Sequence, residues 1–278
     1  MSTNKPSPAP AGPDIRDIIF RPVAGRLYTA DIIVEQAGIL AGVRHLETWL
    51  NEQGITARVQ AADGAAVAPG AVIARLTGSA KEIAVAEEFV IGFLAKPSGI
   101  ASAARRAVDL AGPDIAIVCG AWKKMPHAIK NVVREAVICG GAACRIADQP
   151  FLYLDKNFVR MLGGIAATLQ AVADITDRLK VIQLKGESGD IAADALAAAR
   201  GGADIIMIDT GRVADAEQAH AALAAAGCRH RVRIAFAKGI RLEAISEIKG
   251  KGIDILDIGV SIIDAPLLDM KLEVVNGG

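Results

Sequence analysis

Ala203-Asp204-Ile205-Ile206-Met207-Ile208-Asp209-Thr210-Gly211 decides the fold. Four large apolar residues stand in a row, bracketed by acids and closed by a glycine turn. The run is too short for a helix and shows no polar alternation. It therefore reads as a strand covered on both faces. Ala-rich helical stretches flank it, Ile191–Arg200 before and Ala214–Ala226 after. The same texture recurs at Ile115–Cys119, Phe151–Leu154, Val181–Leu184, Val232–Phe236 and Asp254–Ile258, with further helices at Lys130–Cys139 and Leu242–Lys249. An additional short strand is read at Ala142–Ile146. Short buried strands alternating with helices specify parallel βαβ units. About seven units fit an incomplete TIM-like barrel or a doubly wound sheet. No strand is followed by G-x-G-x-x-G and no Walker loop is present, which disfavours dinucleotide and NTPase versions of that architecture.

Residues 14–108 have a different texture. Leu27–Val34 reads as a strand and Leu40–Gln53 as a helix. Short β-prone runs follow at 57–60 and 72–76, punctuated by Asp63-Gly64 and Pro69-Gly70. Such runs are turn-linked strands. Helical spacing then appears twice, over Glu82–Leu94 and over Ser98–Leu110. This part is read as an α+β sandwich domain, residues 14–108, ahead of an α/β barrel domain, residues 109–266. Residues 1–13, MSTNKPSPAPAGP, are read as a disordered tail.

Composition narrows the function. The chain has 278 residues with 31 basic and 31 acidic side chains, and is 52% hydrophobic but 4% aromatic. Balanced charge argues against a general nucleic-acid binder. No apolar run approaches the ~18–20 residues that span a bilayer, so the Ala and Gly read as close helix–strand packing. Without an apolar signal core, the expected compartment is the cytoplasm. Cys119, Cys139, Cys144 and Cys228 then read as reduced thiols. Their spacing matches no metal or cluster pattern, and His45, His127, His220 and His230 show no H-x-H or H-E-x-x-H spacing.

In a parallel barrel, chemistry sits at the carboxyl ends of the strands. The residues just after each run are Gly120 to Lys124, Arg145, Asp155-Lys156-Asn157, Lys185, Asp209-Thr210-Gly211, Ala237-Lys238-Gly239 and Gly259-Val260-Ser261. Several cations share this ring with two late glycine turns that can present N–H groups to a phosphate. A site for a phosphorylated, anionic small molecule is expected. Asp209 reads either as a ligand for Mg²⁺ or sugar hydroxyls, or as a turn-forming acid. Trp122 reads either as a platform for a flat ring or as packing.

Taken in order, these residues resemble the quinolinate phosphoribosyltransferase family, which includes the nicotinate-nucleotide pyrophosphorylases and a molybdenum-locus homologue. Ala86-Glu87-Glu88…Pro97-Ser98-Gly99-Ile100-Ala101-Ser102 is similar to the family's AERT…LSGIAT segment. Asp63-Gly64…Val67…Gly70 resembles its DG..V..G turn. Lys123…Pro126, Gly140-Gly141…Arg145, Asn157, Ala203–Asp209 and Gly252–Gly259 continue in family order. Pro266–Leu272 resembles its closing strand, so residues 267–275 are expected to return to the first domain. The resemblance implies an α/β sandwich beside an open, seven-stranded barrel. It also implies a homodimer or higher oligomer with sites completed by a neighbouring chain, and transfer of a phosphoribosyl group from phosphoribosyl pyrophosphate with Mg²⁺. By that likeness Lys123, Arg145 and Asp209 are the expected catalytic residues, with Asp209 the tentative metal ligand. Lys238, Gly239, Gly259 and Ser261 would bind phosphate.

The departures fall where the ring should bind. The AERT arginine is Glu88, and the arginine of the DTRK motif is Trp122. The HR pair is Cys144-Arg145. Asp155 replaces the KDNH lysine, with Lys156 adjacent, and Phe158 replaces its histidine. Gln183 and Lys185 replace the acids of the VEVE strand. Glu88, Trp122, Cys144, Asp155, Lys156, Gln183 and Lys185 form the expected ring-facing set. Each charge-assisted pair lost from a dicarboxylate costs about 1.5–3 kcal/mol. Two losses with reversed charge remove roughly four orders of magnitude of affinity. The expected enzyme is therefore a diverged, phosphoribosyltransferase-like one with a neutral or cationic ring partner. A different lysine-based reaction on the same fold, or a non-catalytic binding protein, are the alternatives.

Overall fold

The computed structural model describes residues 14–277; the tail assigned to residues 1–13 lies outside them. The first unit contains β1 (Leu27–Val34), β2 (Gly38–Ile39), β3 (Thr56–Val59), β4 (Ala66–Val67) and β5 (Val72–Ser79). The second contains β6 (Ala116–Val118), β7 (Phe151–Leu154), β8 (Leu179–Leu184), β9 (Ile205–Ile208), β10 (Arg233–Ala237) and β11 (Ile255–Asp257). The last strand, β12 (Met270–Gly277), runs antiparallel beside β1, pairing Ile32 with Leu272. The antiparallel sheet has the order β12-β1-β5-β3, and β2 pairs with β4 separately. Its apolar face packs on helix Val43–Gln53 and on the first half of helix Ala80–Ala111, with Ile32, Leu46, Leu50, Leu76 and Leu94 essentially inaccessible.

The parallel sheet has the order β6-β11-β10-β9-β8-β7. The expected strand at Ala142–Ile146 is reduced to one bridge, Ala143 to Val118, at the β6 edge. No ladder closes β7 onto that segment among the described residues, so the fold is an open α/β barrel. Alternation along each strand sorts the side chains. Val118, Val181, Ile205, Met207, Ala235 and Ile255 fill the barrel interior. Ile117, Ile182, Ile206, Ile208, Phe236 and Leu256 pack outward under the helices. This double burial explains the unbroken apolar runs of the sequence. The helix expected over Leu242–Lys249 is a 3-10 turn, Leu242–Ala244, and one short helical turn, Ile245–Ile248.

Two helices were expected on either side of Pro97, but one continuous helix, Ala80–Ala111, runs through it. A capping box starts it: Ser79 Oγ accepts from Glu82 N–H and Glu82 Oε2 accepts from Ser79 N–H. Pro97 has no N–H for the carbonyl of Phe93, four residues earlier. Gly42 closes over that carbonyl; at φ 95° and with a Cβ that would stand 2.0 Å from Phe93 O, only glycine fits. Ser98 Oγ accepts from Ala41 N–H at 3.0 Å, and Ser102 Oγ accepts from Ile39 N–H at 2.8 Å. Tertiary bonds therefore hold the helix together where local propensity would end it.

Gly99 lies in the same helix against the backbone of Pro266, where a Cβ would stand 2.0 Å from the carbonyl oxygen. Helix propensity alone favours Gly99→Ala by about 0.5–1 kcal/mol. Overpacking against rigid backbone costs about 1–3 kcal/mol. Gly99→Ala is therefore expected to lower the melting temperature, measured by circular dichroism, against the sign of its helix propensity.

Candidate functional site

The inward alternation of each strand continues past its last apolar residue and lines the barrel mouth. From Phe151 it passes to Tyr153 and Asp155, from Val181 to Gln183 and Lys185, from Met207 to Asp209, from Ala235 to Ala237 and Gly239, and from Ile255 to Asp257 and Gly259. Most of these residues, with Gly120, Lys123, Lys124, Lys156, Asn157, Lys238, Arg241 and Ser261, line one cavity of about 750 Å³. Lys185 instead lines an adjoining pocket of about 330 Å³, which shares Lys156 and Gln183 with the first.

The three acids of the mouth are each engaged by the protein. Asp155 caps helix Lys156–Leu162, its Oδ1 accepting from Asn157 N–H at 2.8 Å and Phe158 N–H at 3.2 Å. Asp209 Oδ2 accepts from the Gln183 amide and, at 3.1 Å, from the Lys185 ammonium. That ammonium also donates to the Asp209 carbonyl at 2.9 Å. The other end of the Gln183 amide accepts from Lys156 N–H at 2.9 Å, tying the loops after β7, β8 and β9 together. Asp257 Oδ1 accepts from Gly120 N–H at 2.9 Å. Burial pushes the Asp257 carboxyl above the usual carboxylate range, against the opposing pull of that N–H and of Lys123. Burial likewise pushes the Tyr153 phenol up. Its ring centroid lies 5.9 Å from Lys123 Nζ.

The cations are in the opposite condition. Among the described residues, none of Lys123, Lys124, Lys156, Lys238 and Arg241 is ion-paired, although all five line the cavity. Lys238 has φ 83°, the one non-glycine described residue in the left-handed region. A side chain there costs about 1–2 kcal/mol relative to ordinary backbone. The turn Ala237-Lys238-Gly239 thus holds a lysine where glycine would be unstrained. Ser261 Oγ donates to Ile240 O at 2.8 Å and braces the next loop.

Besides Lys185, four expected site residues are not brought into the cavity lining. Glu88 projects from helix Ala80–Ala111 at the surface and pairs with Arg16. Trp122 was read as a possible ring platform, but its indole N–H donates to Cys144 O at 2.9 Å and the Arg134 guanidinium lies 4.8 Å from its ring. Trp122 is packing. Cys144 is buried, with its thiol directed at Arg134 O, and so faces no ligand. The Arg145 guanidinium lies 5.1 Å from the Phe151 ring, outside the lining. Cys119 is fully buried, which pushes its thiol up to about 12. Conversely, Tyr153, Asp257 and Arg241 line the mouth and were missed. For the first two the signal was strand parity: each is polar at an inward position of an otherwise apolar strand.

Comparisons with known proteins agree with the fold. The family model for the C-terminal domain of quinolinate phosphoribosyl transferase matches residues 100–273, and that for the N-terminal domain matches residues 17–98. The chain is 29% identical over 249 residues to a probable nicotinate-nucleotide pyrophosphorylase (carboxylating) of Archaeoglobus fulgidus, covering 89% of this chain and 94% of that one. It is 26% identical over 248 residues to the human nicotinate-nucleotide pyrophosphorylase (carboxylating), covering 88% and 82%. The crystal structure of NadC from Streptococcus pyogenes superposes with a TM-score of 0.74 at 25% identity, covering 91% and 88%. That of the Francisella tularensis nicotinate-nucleotide pyrophosphorylase gives 0.78 at 22% identity, covering 95% and 91%. No helix among the described residues is long and apolar enough to cross a membrane.

Two variants test this electrostatic description. A carboxyl whose folded pKa is raised makes the fold lose stability as pH climbs from its ordinary value, 3.8, through the raised one. Asp257→Asn keeps an acceptor for Gly120 and removes that loss. Its melting temperature is expected to exceed the parent's at neutral pH, with the gap closing as pH falls toward 3.8. Lys238→Gly relieves the strained backbone, offsetting the ~0.4–1 kcal/mol that glycine costs through the unfolded chain. It is expected to melt no lower than the parent while weakening binding of inorganic pyrophosphate by calorimetry.

Proposed function

Because this chain belongs to the quinolinate phosphoribosyltransferase family, we propose that its barrel mouth binds a pyrophosphorylated ribose and transfers the phosphoribosyl group to a ring that is not a dicarboxylate. The observation that carries this reading is the asymmetry of the mouth. Its acids are engaged by helix ends, amides and an ammonium, while five cations face the same cavity with no ion-pair partner among the described residues. Such an arrangement favours an entering polyanion, and a partly enclosed mouth strengthens each contact relative to water.

Roles follow from position. Lys123 and Lys124, after β6, and Lys238, after β10, hold the pyrophosphate and stabilise it as it leaves. The N–H groups of the turns at Gly239 and Gly259 cradle the ribose phosphate. Asp209 takes a ribose hydroxyl on Oδ1, the oxygen that neither Gln183 nor Lys185 uses. Catalysis in this reading is positioning together with electrostatic stabilisation of the cationic sugar centre. Tyr153, not Trp122, is the aromatic side chain in the cavity and the natural neighbour for the ring. Asp155 stands in this lining where the family motif has a lysine, so a ring bearing two carboxylates loses that cationic partner. Glu88, remote from its own mouth, enters this scheme only if a second copy of the chain presents it, so the proposed assembly is a homodimer or larger.

Phosphoribosyl pyrophosphate at about 100 times its dissociation constant should stabilise the protein by roughly 2.7 kcal/mol. For a chain of this size that raises the melting temperature by about 5 °C or more. Lys123→Gln is expected to weaken binding by roughly 10- to 100-fold, the loss of one charge-assisted contact. Quinolinate added alone or with the sugar phosphate is expected to give no further shift. Absence of any shift with phosphoribosyl pyrophosphate overturns the transferase reading; a further shift with quinolinate overturns the ring assignment.

A further inference from the structure

The resemblance to phosphoribosyltransferases implies Mg²⁺ beside Asp209, but the residues there do not fit a divalent cation. Mg²⁺ wants several oxygen donors at ~2.0–2.1 Å in octahedral array. Among the described residues no three His, Cys, Asp or Glu side chains converge as such a site requires. The acid that the family places on β8 is Gln183 here, and its amide N–H donates to Asp209 instead of offering a second carboxylate. Just beyond it, Lys185 puts an ammonium 3.1 Å from Asp209 Oδ2 and 2.9 Å from the Asp209 carbonyl oxygen. A metal on Oδ2 would face two N–H donors and a fixed positive charge.

We infer that Lys185 is a resident cation for Asp209, replacing a divalent metal at this position. Three features of the geometry support it. The ammonium bridges two oxygens of one residue, as a small cation would. Both side chains of the pair are about one-fifth exposed, 22% for Lys185 and 20% for Asp209, so the pair is shielded but not sealed. Lys185 also lines the adjoining pocket and not the main cavity, whose lining includes Asp209. It can neutralise and orient the carboxylate without occupying space that a ligand needs. Lys185 is a positioning residue here, acting through Asp209. In consequence the mouth accepts its sugar pyrophosphate without metal at Asp209. This rests on the proposed function for the ligand, but not for the metal.

The test therefore has two independent arms on the full chain. In the first, Mn²⁺ alone is titrated and followed by electron paramagnetic resonance. The parent is expected to take up no ion below millimolar concentration, whereas Lys185→Glu gains one site that is lost again in the double variant with Asp209→Asn. A stoichiometric Mn²⁺ site in the parent that Asp209→Asn abolishes overturns the inference. In the second arm, phosphoribosyl pyrophosphate is titrated by calorimetry in EDTA and in excess Mg²⁺. The parent is expected to bind within about threefold equally in both. Lys185→Glu should lose tenfold or more in EDTA and recover with Mg²⁺, a metal dependence that a merely structural role would not create. Lys185→Met, which removes the charge at similar length, should lose affinity in both media and gain no Mn²⁺ site. Binding by the parent only in Mg²⁺ overturns the inference. If the parent binds in neither medium, the proposed function fails, and the Mn²⁺ arm decides this inference by itself.

Discussion

Everything in the molecule hangs on the seat of helix Ala80–Ala111. Its first half buries Ile83, Ala86, Val90 and Leu94 in the core of the antiparallel sheet. Its second half buries Ile100, Ala101, Ala104, Ala107 and Ala111 in the core of the barrel. The change from Ile, Val and Leu to a run of Ala follows from what each half touches. A sheet face leaves room for branched side chains, while the barrel helices press close. Pro97 stands at the crossing. The carbonyl it leaves without a helical partner is covered by Gly42, and Ser98 and Ser102, both after it, accept from Ala41 and Ile39 at the end of β2. One rod thus fixes the orientation of two cores, and a fault at Pro97, Ser98 or Gly99 is felt in both.

The mouth that this scaffold supports follows a simple division of charge. Acids are placed at inward strand positions, where they would repel a phosphate, and each is then occupied from within the protein. Asp155 caps a helix, Asp257 receives the N–H of Gly120, and Asp209 is held by Gln183 and Lys185. The lysines stand on the turns beyond the strands, where chain direction and not burial decides their reach. The lysine at φ 83° is the clearest sign that the arrangement is not dictated by folding alone. Strain retained at a turn that lines the cavity points to use.

The strands of the barrel were legible because a strand covered on both faces must be apolar at every position, a pattern few other environments impose. The order of motifs likewise led to the right family from single motifs that are each weak. What was hidden is instructive. Pro97 broke the helix on paper because the segment that covers the Phe93 carbonyl, at Gly42, is distant in the chain, where no local window reaches. Trp122 lies in the 3-10 turn after β6 and Cys144 follows helix Lys130–Cys139; both meet Arg134 of that helix, contacts that no local window shows, and Arg145 lies on the Phe151 ring. Glu88 was placed by its motif, yet it lies at the surface of its own chain beside Arg16. Asp257 and Tyr153 were within reach, since counting alternate residues upward from the barrel interior finds them. Asp209 was found, but its tie to Lys185 needs the spacing of two neighbouring strands, which the chain does not spell out.

The pairing of β12 with β1 has a consequence for how the protein is made. A ribosome releases the amino end first, and the residues of β1 are in solution long before those of β12 exist. Until the final stretch emerges, the outer edge of the first sheet carries unpaired backbone donors and acceptors, and such edges invite pairing with other chains. The first unit can collapse early around helix Val43–Gln53, but it cannot be finished early. β12, which follows the barrel in the chain, completes a part made before the barrel, so the barrel is already available when that edge is sealed. Loss of β12 would therefore spare the barrel sequence and leave β1 with a sticky, unpaired margin.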